Sequence, residues 1–125
     1  MAVINHLSDD IRTLDYDHKG PIFNPAEEVL DIVGETYGTN VACVTIPRQR
    51  LPAEFFDLST RIAGEFMQKL VNYHVTVAIV GNIDEYLNAS STLQAFVHES
   101  NRGSTLWFVE DRDAVHDRLN PATGS

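Results

Sequence analysis

A chain of 125 residues, 43% hydrophobic and 22% charged, has the size and make-up of one globular domain that buries its own core without disulfide or metal staples. Its net charge of −9, with only nine Lys and Arg, argues against nucleic acid as a partner, because phosphate contacts need clustered cations. No apolar run approaches the ~20 residues of a membrane span, and Met-Ala-Val-Ile-Asn lacks the basic and apolar regions of a secretory signal, so a cytoplasmic chain without membrane contact is expected.

In chain order, Val3-Ile4 and Ile11-Arg12-Thr13-Leu14 flank the turn-forming Ser8-Asp9-Asp10, which predicts an N-terminal hairpin. Asn24-Pro25-Ala26-Glu27 opens a helix: a capping Asn, Pro at the first helical position and an acid in the positive first turn. Val29, Leu30, Ile32 and Val33 form its inner stripe and Gly38 closes it. Val41 to Ile46 is an unbroken β-prone run ended by Pro47. Cys43 lies inside that run and reads as a buried, inert thiol, since a nucleophilic thiolate needs an exposed, electropositive niche. Arg48-Gln49-Arg50, the nearest thing to a basic cluster, reads as a solvated connection.

A long second helix is predicted from Phe55, because Phe55, Leu58, Ile62, Phe66, Leu70 and Tyr73 recur at spacings of three and four, widened by Ala63, Met67 and Val71. Val75 to Val80 is a second apolar strand, ending at Gly81-Asn82. Asn88 to Thr92 offers caps to a third helix with inner residues Leu93, Phe96, Val97 and Ser100, stopped by Asn101-Arg102-Gly103 with Gly103 suited to a left-handed conformation. Thr105 to Val109 is a last strand, and Asp111 caps a fourth helix burying Ala114, Val115 and Leu119. Trp107 and Tyr86 read as core and loop residues, and Asn120 to Ser125 as a tail.

The expected order is therefore β-β-α-β-α-β-α-β-α, one α/β domain over residues 1–119. Strands without alternation imply a sheet covered by helices on two sides, and the crossovers imply a mostly parallel sheet beyond the hairpin. In such sheets ligands and partners meet the loops at the carboxyl ends of the strands, here Pro47 to Thr60, Gly81 to Ser91 and Glu110 to Asp113.

Standard catalytic signatures are missing: no glycine-rich phosphate loop, no Gly-x-Ser-x-Gly elbow and no His-Glu-x-x-His. His6, His18, His74, His98 and His116 stand singly, without a Cys or second His at ligand spacing, so no metal and no cofactor is expected. His98 and Glu99 cannot act as a pair, because helix neighbours point about 100° apart.

"FFDLSTRIAGEFMQKLVNY", "VAIVGN", "FVHESNRG" and "WFVED" together resemble a bacterial family known only as domain of unknown function 4180. That family's pattern more often has Gly at the position of Arg61 and Asp at that of Asn82, both at the suspected ligand end. A weaker resemblance runs to STAS-type domains, the sulphate-transporter and anti-sigma-antagonist fold, and implies a single STAS-like α/β domain. In that fold a Ser or Thr in the turn before the second helix receives phosphate from a partner kinase, and an anti-sigma factor docks there. The matching stretch is Asp57-Leu58-Ser59-Thr60, followed by Ala63-Gly64.

Two expectations follow. In the first, the protein is a non-enzymatic regulatory or interaction module, switched by phosphate on Ser59 or Thr60 beside Asp57, with a protein partner or a second copy of itself; the plain alternative is that these residues only cap the helix. In the second, a small polar molecule, or the substrate of a modest enzyme, sits between the second and third helices against Glu65, Asn72, Glu99 and Arg102. Arg61, Glu65 and Lys69 at spacings of four read as surface ion pairs, which leaves Glu65, Gln68 and Asn72 as the polar set needing explanation. Asn82, Asn101 and Arg102 complete the candidate binding residues, with helix-end chemistry as the competing account of Asn101 and Arg102.

Overall fold

Five strands and five α-helices make up the computed structural model, which describes residues 2–6 and 11–119. The strands are β1 (Ala2–His6), β2 (Arg12–Tyr16), β3 (Cys43–Pro47), β4 (Val77–Val80) and β5 (Leu106–Val109). The helices are α1 (Pro25–Thr36), α2 (Ile62–Tyr73), α3 (Asp84–Ala89), α4 (Ser91–Arg102) and α5 (Arg112–Leu119). The sheet follows chain order, β1 antiparallel to β2 and every later pair parallel, so the α/β fold with an N-terminal antiparallel pair is the one expected. Ser8-Asp9-Asp10 and the tail from Asn120 lie outside the described residues.

Sequential strand order decides where the helices go. Right-handed crossovers that all step the same way leave their helices on one face. Accordingly Leu14, Tyr16, Val44, Ile46, Val77, Ile79, Leu106 and Phe108 pack against Val29 and Ile32 of α1, Phe66 and Leu70 of α2, and Leu93 and Val97 of α4. Among the described residues the second face carries only α5, whose Val115 packs on Cys43, Ala78 and Trp107. Two-sided cover is thus lopsided. The strand runs that suggested it owe much of their apolar second-face character to the strip under α5, while Thr13, Asp15 and Thr45 place polar groups on the part left open, bordered by Val3, Pro47 and Val80.

The long second helix is corrected at its start. Ala53–Phe56 and Leu58–Thr60 are separate 3₁₀ turns, and α2 begins only at Ile62. The break is Arg61, at φ 66° in the left-handed region, which no continuous right-handed helix passes through. Phe55 still reaches the core, meeting Phe66 edge-on with ring centroids 5.7 Å apart, so its match to the helical stripe was a coincidence of spacing. Val71 is 45% exposed, since the residue after Leu70 turns about 100° off the buried arc.

Three smaller differences are physical. Helix α3 falls in a segment expected to be a loop, with the Asn82 side chain accepting from the Asp84 N–H at 2.8 Å. Gly103 is extended at φ −91° rather than left-handed; its carbonyl accepts from Trp107 Nε1 at 2.8 Å. Arg50 is 5% exposed, not solvated: Nε donates to Pro21 O and Nη1 to Asp17 O, both at 2.7 Å, and the guanidinium lies over the Phe23 ring. It therefore staples the segment between β2 and α1, work that a loop without its own ladder leaves to a side chain.

Candidate functional site at the carboxyl ends of the strands

The chain from β3 to α2 holds the expected hydroxyls in a tight polar turn. Asp57 Oδ1 accepts from the Ser59 N–H at 3.0 Å and from Ser59 Oγ at 2.7 Å. That pairing, the hydroxyl bond first, holds the Asp57 carboxyl below its ordinary range, so it is charged at neutral pH. Thr60 Oγ1 lies 2.8 Å from Glu54 O and 2.7 Å from Asp57 O, and accepts from the Ile62 N–H at 3.3 Å. The two hydroxyls have therefore separated in role: Thr60 ties the turn to the backbone on both sides, whereas Ser59 touches only Asp57. Asp57 caps the 3₁₀ turn rather than α2.

Beside this turn Leu58, Arg61, Gly64, Glu65 and Phe96 line a shallow hollow of about 380 Å³ between α2 and α4. Phe96 gives it an apolar floor, and Leu58 borders it together with the opposite charges of Arg61 and Glu65. Among the described residues Arg61, Glu65 and Lys69 form no ion-pair ladder; Lys69 Nζ instead reaches Ala26 O on α1 at 3.4 Å.

The other candidates are dispersed. Gln68 Nε2 donates to Asn72 Oδ1 at 3.2 Å one turn on, an exposed pair along α2. Glu99 and Arg102 face each other at 3.7 Å, both well exposed, along α4. Glu65 borders the hollow beside Arg61, which Asn72, Glu99 and Arg102 do not line. Asn101 is occupied by the fold: its Oδ1 accepts from the Phe108 N–H at 2.7 Å and its Nδ2 donates to Phe108 O at 3.2 Å. One amide thus closes the outer edge of β5 as a sixth strand would.

The second face holds a cluster that sequence reasoning missed. Asp15, 9% exposed on β2, takes Thr45 Oγ1 at 2.6 Å on Oδ1, and Thr13 Oγ1 at 3.2 Å, Asn5 Nδ2 at 2.5 Å and Arg112 Nη2 at 2.5 Å on Oδ2. The register puts these groups together: Asp15 lies opposite Thr45 across the parallel pair and opposite Val3 across the antiparallel one. The signal was in the alternation Thr13-Leu14-Asp15-Tyr16, polar on one face and apolar on the other. Arg112, at the start of α5, lies 97 positions away, beyond the reach of any local pattern. The hollow over this cluster, about 530 Å³, is bordered by Val3, Asp17, His18, Pro47, Gln49 and Val80.

With these positions fixed, comparison with known proteins decides the family. Residues 8–119 match the family model described as Domain of unknown function (DUF4180). The chain belongs to that family. Neither the curated proteins nor the solved structures yield a match to it. Within this DUF4180 chain, Asp15, the Asp57 turn, Asn101 and Arg112 fall inside the matched stretch, while β1 lies before it. Arg61 stands at a left-handed position that Gly adopts without steric cost, and Asn82 accepts from the Asp84 N–H with an oxygen that Asp would supply equally.

Proposed function

We propose that this DUF4180 chain is a non-enzymatic regulatory module that docks a protein partner at the start of α2, with docking controlled by phosphate on Ser59. The observation that carries the reading is the exposed Ser59 hydroxyl at 2.7 Å from Asp57 Oδ1, in an ordered turn that shares Leu58 and Arg61 with the rim of an open, apolar-floored hollow. The turn's place before the second helix agrees with the STAS analogy, which is an analogy of fold and not of sequence.

The chemistry of the switch is electrostatic. Unmodified Ser59 donates to Asp57 through its hydroxyl and its backbone N–H, and the N–H bond alone still holds the turn. A phosphate replaces the hydroxyl donor with about −1.5 to −2 charge and sets it against a carboxylate that is already ionised. Two like charges at hydrogen-bond distance cannot both stay, so the turn opens, and Leu58 and Arg61 leave their places on the rim. Thr60 is not the switch, because its hydroxyl is engaged with backbone groups on both sides. The apolar floor suits an inserted aliphatic or aromatic side chain, and the Arg61 and Glu65 pair suits polar groups flanking it.

The test is hydrogen exchange on protein carrying phosphoserine at position 59. Amides from Asp57 to Glu65 should exchange faster in the phosphorylated protein, while Ser59→Ala, which loses one exposed hydrogen bond and adds no charge, leaves them nearly unchanged. Equal exchange in phosphorylated and unmodified protein would remove the switch.

A further inference from the structure

We infer that the part of the second sheet face left uncovered by α5 binds a small carboxylate with an apolar body, through Arg112. The inference rests on side chains separate from the α2 turn and stands or falls independently of the docking surface. Asp15 is buried while Arg112 is half exposed, and desolvating the carboxylate offsets much of the attraction, so stability alone is a poor account of the pair. Asp15 holds four donors across both carboxylate oxygens and has little capacity left for a ligand. It is a positioning residue: it fixes one edge of the Arg112 guanidinium at 2.5 Å.

Arg112 is the reverse case. Its side chain is 51% exposed and lines the hollow, and among the described residues only Nη2 has a protein acceptor, which leaves the other N–H donors open to a ligand. A guanidinium held in one orientation with donors to spare is matched by a carboxylate, which takes two parallel N–H bonds. Val3, Pro47 and Val80 offer an apolar wall for the rest of the ligand, with Gln49 at its edge.

Charge then selects within the anions. Asp17 and His18 on the border face each other at 3.4 Å, Asp15 lies behind the guanidinium, and the chain carries −9 overall. A doubly charged phosphate would meet one arginine and two carboxylates, whereas a carboxylate brings one charge. An amine would find no unsaturated buried acceptor, because Asp15 is already filled.

The experiment is an NMR titration of the full chain with isovalerate, compared with isovaleramide, inorganic phosphate and isoamylamine. Saturable shifts at the amides of Asn5, Thr45, Val80, Gly81 and Arg112 are expected for isovalerate, with the amide and phosphate about tenfold or more weaker, as loss of a charge-assisted hydrogen bond implies. Arg112→Gln should abolish the shifts. Because that change could also loosen α5, Val3→Trp provides a second test: it fills the hollow from an exposed strand position, leaves the ion pair intact, and should abolish them too. No saturation with isovalerate, equal response to amide, phosphate or amine, or undiminished binding in Val3→Trp would each overturn the inference.

Discussion

Arg61 shows how much one backbone angle decides. At φ 66° it ends the 3₁₀ turn and starts α2 one residue later, and it does so with a side chain that disfavours that angle by about 1 kcal/mol relative to glycine. Arg61→Gly should therefore raise stability by about 0.5 kcal/mol or more, the strain relieved less the entropy that glycine adds to the unfolded chain, read as an upward shift in urea midpoint. A fall in midpoint would mean that the guanidinium makes a contact worth more than the strain. Cys43 makes a different point about legibility. Its burial followed from an apolar run, and the thiol is pushed up to about 12 from 9.0 by that burial first and by the Asp15 charge second. A folded pKa raised above the unfolded one contributes stability that is full below the unfolded value and is lost as pH climbs from 9.0 towards about 12. The stability gap between wild type and Cys43→Ala should accordingly narrow from about pH 9 upward, and a constant gap would contradict the buried-thiol account.

At the scale of elements, the parallel strands were legible because burial made Val41 to Ile46 and Val75 to Val80 dense in apolar and β-branched residues, and α4 because Ser90 supplies a cap, accepting from the Leu93 N–H at 3.1 Å. The start of α2 was not, since Phe55 and Leu58 obey the helical period while lying in 3₁₀ turns. The edge of β5 was half legible. Asn101 was visible both as helix-end chemistry and as a binding candidate, but its bonds go to a strand five residues further on, which only the folded chain reveals. Asn101→Ala should leave the Phe108 N–H and carbonyl without their partner at the sheet edge and cost about 2 kcal/mol in urea unfolding. Asn101→Asp, which keeps the acceptor and loses the donor, should fall between. If both variants match wild type, water has replaced the amide and the edge needs no such closure.

For the whole molecule, sequential strand order with crossovers of one hand produces one thick face and one thin face, and the two surfaces with functional promise lie one on each. The thick face presents the turn and hollow at α2; the thin face presents Arg112. Both stand at the carboxyl ends of the parallel strands, which the sequence could locate, whereas the meeting of Asp15 with Arg112 needed the folded sheet. The central claim is that the α2 surface docks a protein and that residue 59 controls it. Its most direct test is a photo-crosslinking amino acid at position 96, on the floor of the hollow, in protein expressed in its own host. The account predicts one discrete adduct that survives Ser59→Ala and vanishes in Ser59→Glu. An adduct indifferent to residue 59, or none at all, would contradict it.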